Sequence, residues 1–265
     1  MNKIQNTLVQ LKAEARKSPA LMTHVVMGYP SLKESMAIVA EQARAGAQFV
    51  ELQIPFSDPM ADGPTIMKAN QAALDKGIKV LDCFKAAEKL AGKVSTPLLF
   101  MTYFNIAYRY KGGVKAFCRD SANAGMSGLI IPDISIEDEV ENYWSLALNY
   151  NLSPIPIASP ITPKARLKKI APLAKKGFVY CVSSTGTTGA KNTLPTGLGS
   201  YLDKVRQTVK SPVAVGFGIS QPVHIKALTG HTDIAIVGSA CIDIINKSKG
   251  NYLKAVTSFI ASLCK

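Results

Sequence analysis

The sequence predicts a (β/α)8 barrel, also called a TIM barrel, on three observations. Short apolar runs recur eight times along 265 residues, amphipathic stretches separate them, and no Pro-, Gly- or Ser-rich linker or low-complexity tract divides the chain. Near-continuous apolar strands alternating with amphipathic helices make a parallel sheet covered by helices. Eight such units in this length fit a closed barrel better than the competing doubly wound open sheet. Residues 1–265 read as a single domain.

The elements follow in order. The opening segment, MNKIQNTLVQLKAEARK, is charged and amphipathic and reads as an extra helix ahead of the barrel. Strands are expected near Met22–Met27, Phe49–Ile54, Pro97–Tyr103, Gly128–Ile131, Pro154–Ala158, Phe178–Val182, Pro212–Val215 and Asp233–Val237. Helix-like stretches lie between them, among them Leu32–Ala45, Val80–Leu90, Val114–Ala124, Glu137–Leu148 and Lys164–Leu173. In the last of these Leu167, Ile170 and Leu173 recur at helical spacing with lysines opposite. Two inter-strand segments are unusually long: Pro55–Gly77 after the second strand and Ser183–Leu198 after the sixth. Long loops in compact domains are usually functional, and loops after barrel strands build the active face.

Composition narrows the function. Thirty-one Lys and Arg against eighteen Asp and Glu give a net charge of +13. Only six of the cations are Arg, the lysines are scattered, and there is no basic stripe with interleaved aromatics, so nucleic acid is not the expected partner. The lysines read chiefly as solvated helix faces, and the excess charge also steers anionic substrates. Five separated cysteines, with no CxxC and no signal peptide, point to reduced thiols and a cytoplasmic protein. No run of 18 apolar residues is present, so no membrane partner is expected.

The candidate chemistry sits at the strand ends. GFGIS (Gly216–Ser220) follows the seventh strand and VGSA (Val237–Ala240) follows the eighth, where barrels often hold phosphate on backbone N–H groups and a helix N-terminus. Gly186 and Gly189 follow the sixth strand. In the second strand, alternation puts Phe49, Glu51 and Gln53 inside and Val50, Leu52 and Ile54 outside. A carboxylate inside a barrel loses water, which moves its pKa toward the range of a proton-transfer group. Asp62, in the loop that follows, supplies a second carboxylate around one substrate. No Lys lies within a strand, which disfavours a Schiff base, and His24, His224 and His231 share no metal-ligand spacing, so no metal is expected. Walker A, GxSxG and strand-linked GxGxxG motifs are missing.

ELQIPFSDPMADGP (Glu51–Pro64) closely resembles the signature of the tryptophan synthase alpha subunit family. MGYP (Met27–Pro30), FMTYFN (Phe100–Asn105), GLIIPD (Gly128–Asp133), TGTTGA (Thr185–Ala190), GFGIS and VGSA match in order. The resemblance implies a barrel that cleaves indole-3-glycerol phosphate to indole and glyceraldehyde 3-phosphate. It implies no cofactor in this chain, pyridoxal phosphate belonging to a beta-subunit partner in an α2β2 heterotetramer. By the same resemblance Glu51 is the general acid/base and Asp62 stabilises the protonated indole. Tyr180 lies near the substrate, and Gly189, Gly218, Gly238 and Ser239 hold phosphate. Tyr103, Met101, His24 and Ile236 are expected to complete the substrate pocket. The chain departs from the family at Gln53, usually Gly, at His24, where an apolar or aromatic residue is expected, and at Ser135, usually Pro. Two roles are open to Gln53: to donate a hydrogen bond to Glu51, or to crowd the pocket. These departures also motivate a second reading, a weakly active subunit that chiefly activates its partner. A phosphosugar isomerase is the third.

Overall fold

A computed structural model describes residues 1–14, 16, 18–137, 140–182, 195–216, 218–248 and 250–264. Nine parallel strands form its sheet: β1 (Ala20–Val26), β2 (Phe49–Gln53), β3 (Leu98–Met101), β4 (Gly128–Ile130), β5 (Ser153–Ile155), β6 (Ile157–Ala158), β7 (Val179–Val182), β8 (Val213–Gly216) and β9 (Ile234–Val237). Their order is β5-β4-β3-β2-β1-β9-β8-β7-β6. The expected fifth strand is interrupted at Pro156, which has no N–H to donate to a ladder. Its first half pairs with β4 and its second with β7, while the Pro156 carbonyl accepts from the Tyr180 N–H at 2.9 Å. The interrupted strand therefore joins the two ends of the sheet, and the architecture is the eight-stave barrel rather than an open sheet.

Alternation along each strand sorts side chains into two layers. Met22, Phe49, Leu99, Met101, Ile130, Ile155, Phe178, Ala214, Ile234 and Ile236 fill the interior. Leu21, Val50, Leu52, Leu98, Phe100, Leu129, Val179, Val213 and Val215 face the surrounding helices. Phe49 and Phe178 meet edge to face across the interior, with ring centroids 6.0 Å apart. The interior is plugged by side chains, so a ligand cannot pass through the barrel.

The N-terminal helix α1 (Lys3–Ala13) closes one end. Asn2 and Gln5 cap it reciprocally: Asn2 N–H donates to Gln5 Oε1 and Gln5 N–H to Asn2 Oδ1, both at 3.1 Å. The Asn2 amide also reaches Ser127 O, Asn151 O and Ser153 Oγ at 3.1, 3.2 and 2.8 Å, and Ile4 is fully buried in the interior cluster.

The outer helices are α2 (Leu32–Arg44), α3 (Pro64–Asp75), α4 (Val80–Ala91), α5 (Phe104–Tyr108), α6 (Gly113–Asn123), α7 (Tyr143–Asn149), α8 (Lys164–Leu173), α9 (Leu198–Val209), α10 (Pro222–Ala227), α11 (Ser239–Lys247) and α12 (Tyr252–Leu263). Two expectations change here. The segment Pro55–Gly77 is not one long loop, because Pro64 starts α3 from its first-turn position and Ile66, Ala69, Asn70 and Ala73 are buried. The stretch Glu137–Leu148 yields only α7 and a preceding 3-10 turn at Val140–Asn142. Residues 183–194, including Gly186 and Gly189, lie outside the described residues. No helix among the described residues is long and apolar enough to cross a membrane.

Asn2→Ala removes both the cap and the tie to β4 and β5, and is expected to lower unfolding free energy by about 2 kcal/mol. Urea denaturation of the intact chain measures this, and an unchanged midpoint would show that α1 is not anchored through Asn2.

Candidate active site

Register decides which polar side chains meet at the mouth. β1 pairs with β2 so that His24 stands opposite Glu51 and Val26 opposite Gln53. Registered residues of parallel strands project to the same face, so the imidazole and the carboxylate are neighbours inside the barrel. His24 Nδ1 lies 3.2 Å from Glu51 Oε1, and the two residues are 4% and 3% exposed. Glu51 Oε2 and His24 Nε2 are buried without a hydrogen-bond partner of good geometry among the described residues.

Asp62, 5% exposed, comes from the loop between β2 and α3. Gln53 Nε2 donates to its Oδ2 at 2.6 Å and the Tyr103 hydroxyl donates to the same oxygen at 3.1 Å. Tyr103 Oη in turn accepts from the Ala61 N–H at 3.0 Å, which ties the loop to the end of β3. Phe56 stacks on the Tyr103 ring with centroids 5.0 Å apart. Gln53 thus serves Asp62 rather than Glu51, contrary to the hydrogen bond that strand alternation left open. The two lie nine residues apart in the chain, and the turn between them brings the carboxylate back over the strand that carries the amide.

Burial and charge oppose each other at each group. Burial alone would push the His24 imidazole down. The Glu51 carboxylate, by charge and hydrogen bond, outweighs this with help from Asp62 and Gln53, and holds it above the ordinary 6.5. Burial raises Asp62 above the usual 3.8, against the pull of the His24 charge and the donors Gln53 and Tyr103, while Glu51 adds to the rise. Burial, with Glu51 and Asp62 nearby, keeps the Tyr180 hydroxyl protonated far above 10.0.

These groups line one pocket with about 720 Å³ of atom-free space, part of it open to solvent. His24, Glu51 and Asp62 occupy its polar side. Met101, Ile130, Ile157 and Ile236 supply apolar surface, and Gly218, Gly238 and Ser239 complete the lining, Gly238 beside His24. Tyr180 reaches in from β7, its hydroxyl lying over Gly216, where a Cβ would stand only 2.6 Å away. Gly238 precedes the first residue of α11, so the unpaired N–H groups of that helix start face the pocket.

Of the residues expected from sequence, the pocket brings together Glu51, Asp62, Tyr180, His24, Met101, Ile236, Gly218, Gly238 and Ser239. Tyr103 stands behind Asp62 rather than on the pocket wall. Gly189 lies outside the described residues. Ser135 is remote, its hydroxyl 2.9 Å from Glu137 Oε2. Sequence reasoning missed Ile66 of α3, Ile130 of β4 and Ile157 of the interrupted strand, among others. Among the described residues no group of three or more His, Cys, Asp or Glu is arranged to hold a metal ion.

Comparison with known proteins places this geometry in a family context. The family model for the tryptophan synthase alpha chain matches residues 10–264. A tryptophan synthase alpha chain from Syntrophotalea carbinolica is 43% identical over 249 residues, 94% of this chain and 96% of its own. A tryptophan synthase structure from Mycobacterium tuberculosis superposes with TM-score 0.89 at 29% identity, covering 99% of this chain and 96% of that one. A tryptophan synthase complex from Pyrococcus furiosus gives TM-score 0.85 at 28% identity, covering 94% and 98%.

Tyr103→Phe deletes one donor to Asp62 and leaves the ring stack with Phe56. Carboxyl carbon NMR is expected to show the Asp62 titration midpoint moving up, because the anion loses a hydrogen bond. A midpoint that stays in place would mean that Tyr103 does not hold the ionised form.

Proposed function

From the premise that the chain belongs to the tryptophan synthase alpha chain family, we propose that residues 1–265 act as one barrel domain. That domain cleaves indole-3-glycerol phosphate into indole and glyceraldehyde 3-phosphate, with Glu51 and Asp62 as the two working carboxylates. The observation that carries this reading is that both carboxylates, a set of apolar side chains and the glycines at the ends of the last two strands line one pocket.

The phosphate of the substrate sits at Gly218, Gly238 and Ser239, where the start of α11 offers N–H groups and a favourable dipole. The rim beyond β7, including Gly189, is assigned by family resemblance alone. The indole ring then lies against Met101, Ile130, Ile157 and Ile236, and its ring N–H meets Asp62. Tyr180, held protonated by its burial, is a donor beside the substrate.

Cleavage follows from these positions. A proton placed on C3 of the indole makes the ring an electron sink with positive charge at nitrogen, which ionised Asp62 favours. Glu51 delivers protons at the carbon and removes one from the side-chain hydroxyl. The C–C electron pair becomes the C2–C3 double bond as the C2–N π pair returns to the ring nitrogen, the hydroxyl carbon becomes the aldehyde, and the proton on C3 remains in the indole.

The partner is a beta subunit, consistent with the complex known from Pyrococcus furiosus. Pyridoxal phosphate belongs to that subunit and not to this chain, and the assembly works in the cytoplasm.

Glu51→Gln is expected to lower kcat by about 10²–10⁴-fold while substrate binding persists. Indole release by the chain with its beta subunit measures kcat, and near wild-type turnover would remove Glu51 from its role. Gly238→Ala tests the phosphate rim. Among the described residues a Cβ there meets nothing closer than 3.7 Å, its neighbours being the pocket residues Ile66 and His24. KM for the phosphorylated substrate is expected to rise with the melting temperature unchanged, and an unchanged KM would move the phosphate elsewhere.

A further inference from the structure

We propose that His24 is a positioning residue for Glu51: as an imidazolium it anchors Oε1 and leaves Oε2 as the oxygen presented to the substrate. This rests on the reading of Glu51 as the proton-transfer group. Cross-strand register puts the two residues side by side, and Nδ1 lies 3.2 Å from Oε1. Gln53, the other polar side chain on the inner face of β2, is engaged with Asp62 at 2.6 Å. Among the described residues, His24 is therefore the side chain in hydrogen-bond contact with Glu51, and none of them partners the buried Oε2. A buried carboxylate oxygen left bare costs free energy unless something fills its place, and a substrate hydroxyl is such a group.

Charge supports the imidazolium form. Glu51 faces the ring from β2 and Asp62 from the loop beyond, so the pocket would hold two buried negative charges without a cation between them. Among the described residues, Tyr180 from β7 and Tyr103 behind Asp62 are the other titratable groups near these carboxylates, and both stay protonated. The residues facing His24 from α3 and from the start of α11, Ile66, Gly238 and Ser239, carry no charge. Held this way, Glu51 spends no time in orientations that point away from the substrate, a contribution of orientation rather than of proton transfer.

The experiment has two arms on the intact chain with its beta subunit. In the first, the ring carbon NMR signal of His24 is titrated in the wild type and in Glu51→Gln. The midpoint is expected to fall in the variant, because burial then acts without the carboxylate to oppose it. An unmoved midpoint overturns the proposal, and this arm holds whether or not the chain turns over. In the second arm, kcat is followed against pH for the wild type, His24→Leu and His24→Asn. His24→Leu is expected to lower kcat about tenfold to a hundredfold, the scale of one hydrogen bond to a charged group, with little change in KM. It should also abolish the alkaline limb that reports loss of the His24 proton. His24→Asn retains a donor without a charge and is expected to restore part of kcat but not the limb. A wild-type profile in either variant, or a lower kcat with the limb retained, overturns the proposal. Failure of the wild type to release indole would overturn the functional reading instead, leaving the first arm to decide the contact.

Discussion

Two carboxylates confined to the mouth of an apolar barrel form the constraint on which the rest of the site depends. Ionised groups removed from water need partners, and the fold supplies each with a different kind. Glu51 receives a titratable ring across one strand boundary. Asp62 receives two neutral donors, Gln53 and Tyr103, on a single oxygen. One carboxylate is thereby coupled to a proton that can leave, and the other to donors that keep their protons. Two chemically identical groups acquire separate duties through their neighbours, in the way that distinct environments divide acid from base elsewhere.

Much of the fold was legible because the signals were local. Alternation in Phe49–Gln53 alone placed Glu51 inside the barrel, and glycines after the last two strands marked the rim. The helix Lys164–Leu173 has the same limits in sequence and structure. Contacts set by register were not legible, since nothing in Met22–Met27 states that His24 stands opposite Glu51 rather than one residue away. A shift by one position would have turned the imidazole to the outer layer. Gln53 misled for a related reason. Proximity along the strand favours Glu51, whereas the turn after β2 returns Asp62 to the amide.

Two prolines break segments that the sequence reading took as continuous. Pro64 ends the loop after β2 by starting α3, so Ile66 stands against the pocket where a structureless segment was expected. Pro156 divides one strand in two, and the division lets the halves pair with different neighbours. Ile157, just after that break, then joins the apolar surface of the pocket. In both places a missing N–H directs the chain toward the substrate pocket.

The same electrostatics that equips the mouth burdens the fold, and the sign follows from the directions of the shifts. His24 is held above 6.5, so its favourable contribution is complete below that pH and is lost as pH rises through the raised value. Asp62 is also raised, so the folded state binds its proton more tightly than the unfolded chain does. Stability from this group declines between pH 3.8 and the raised value and stays reduced above it. Both groups therefore make the barrel less stable toward neutral and alkaline pH, where a deprotonated carboxylate is wanted for chemistry. The stability that tolerates this comes from elsewhere: the interior packed around Phe49 and Phe178, and the end sealed by Asn2 and Ile4. Separating the plugged end from the charged mouth along the barrel axis lets one sustain the strain of the other.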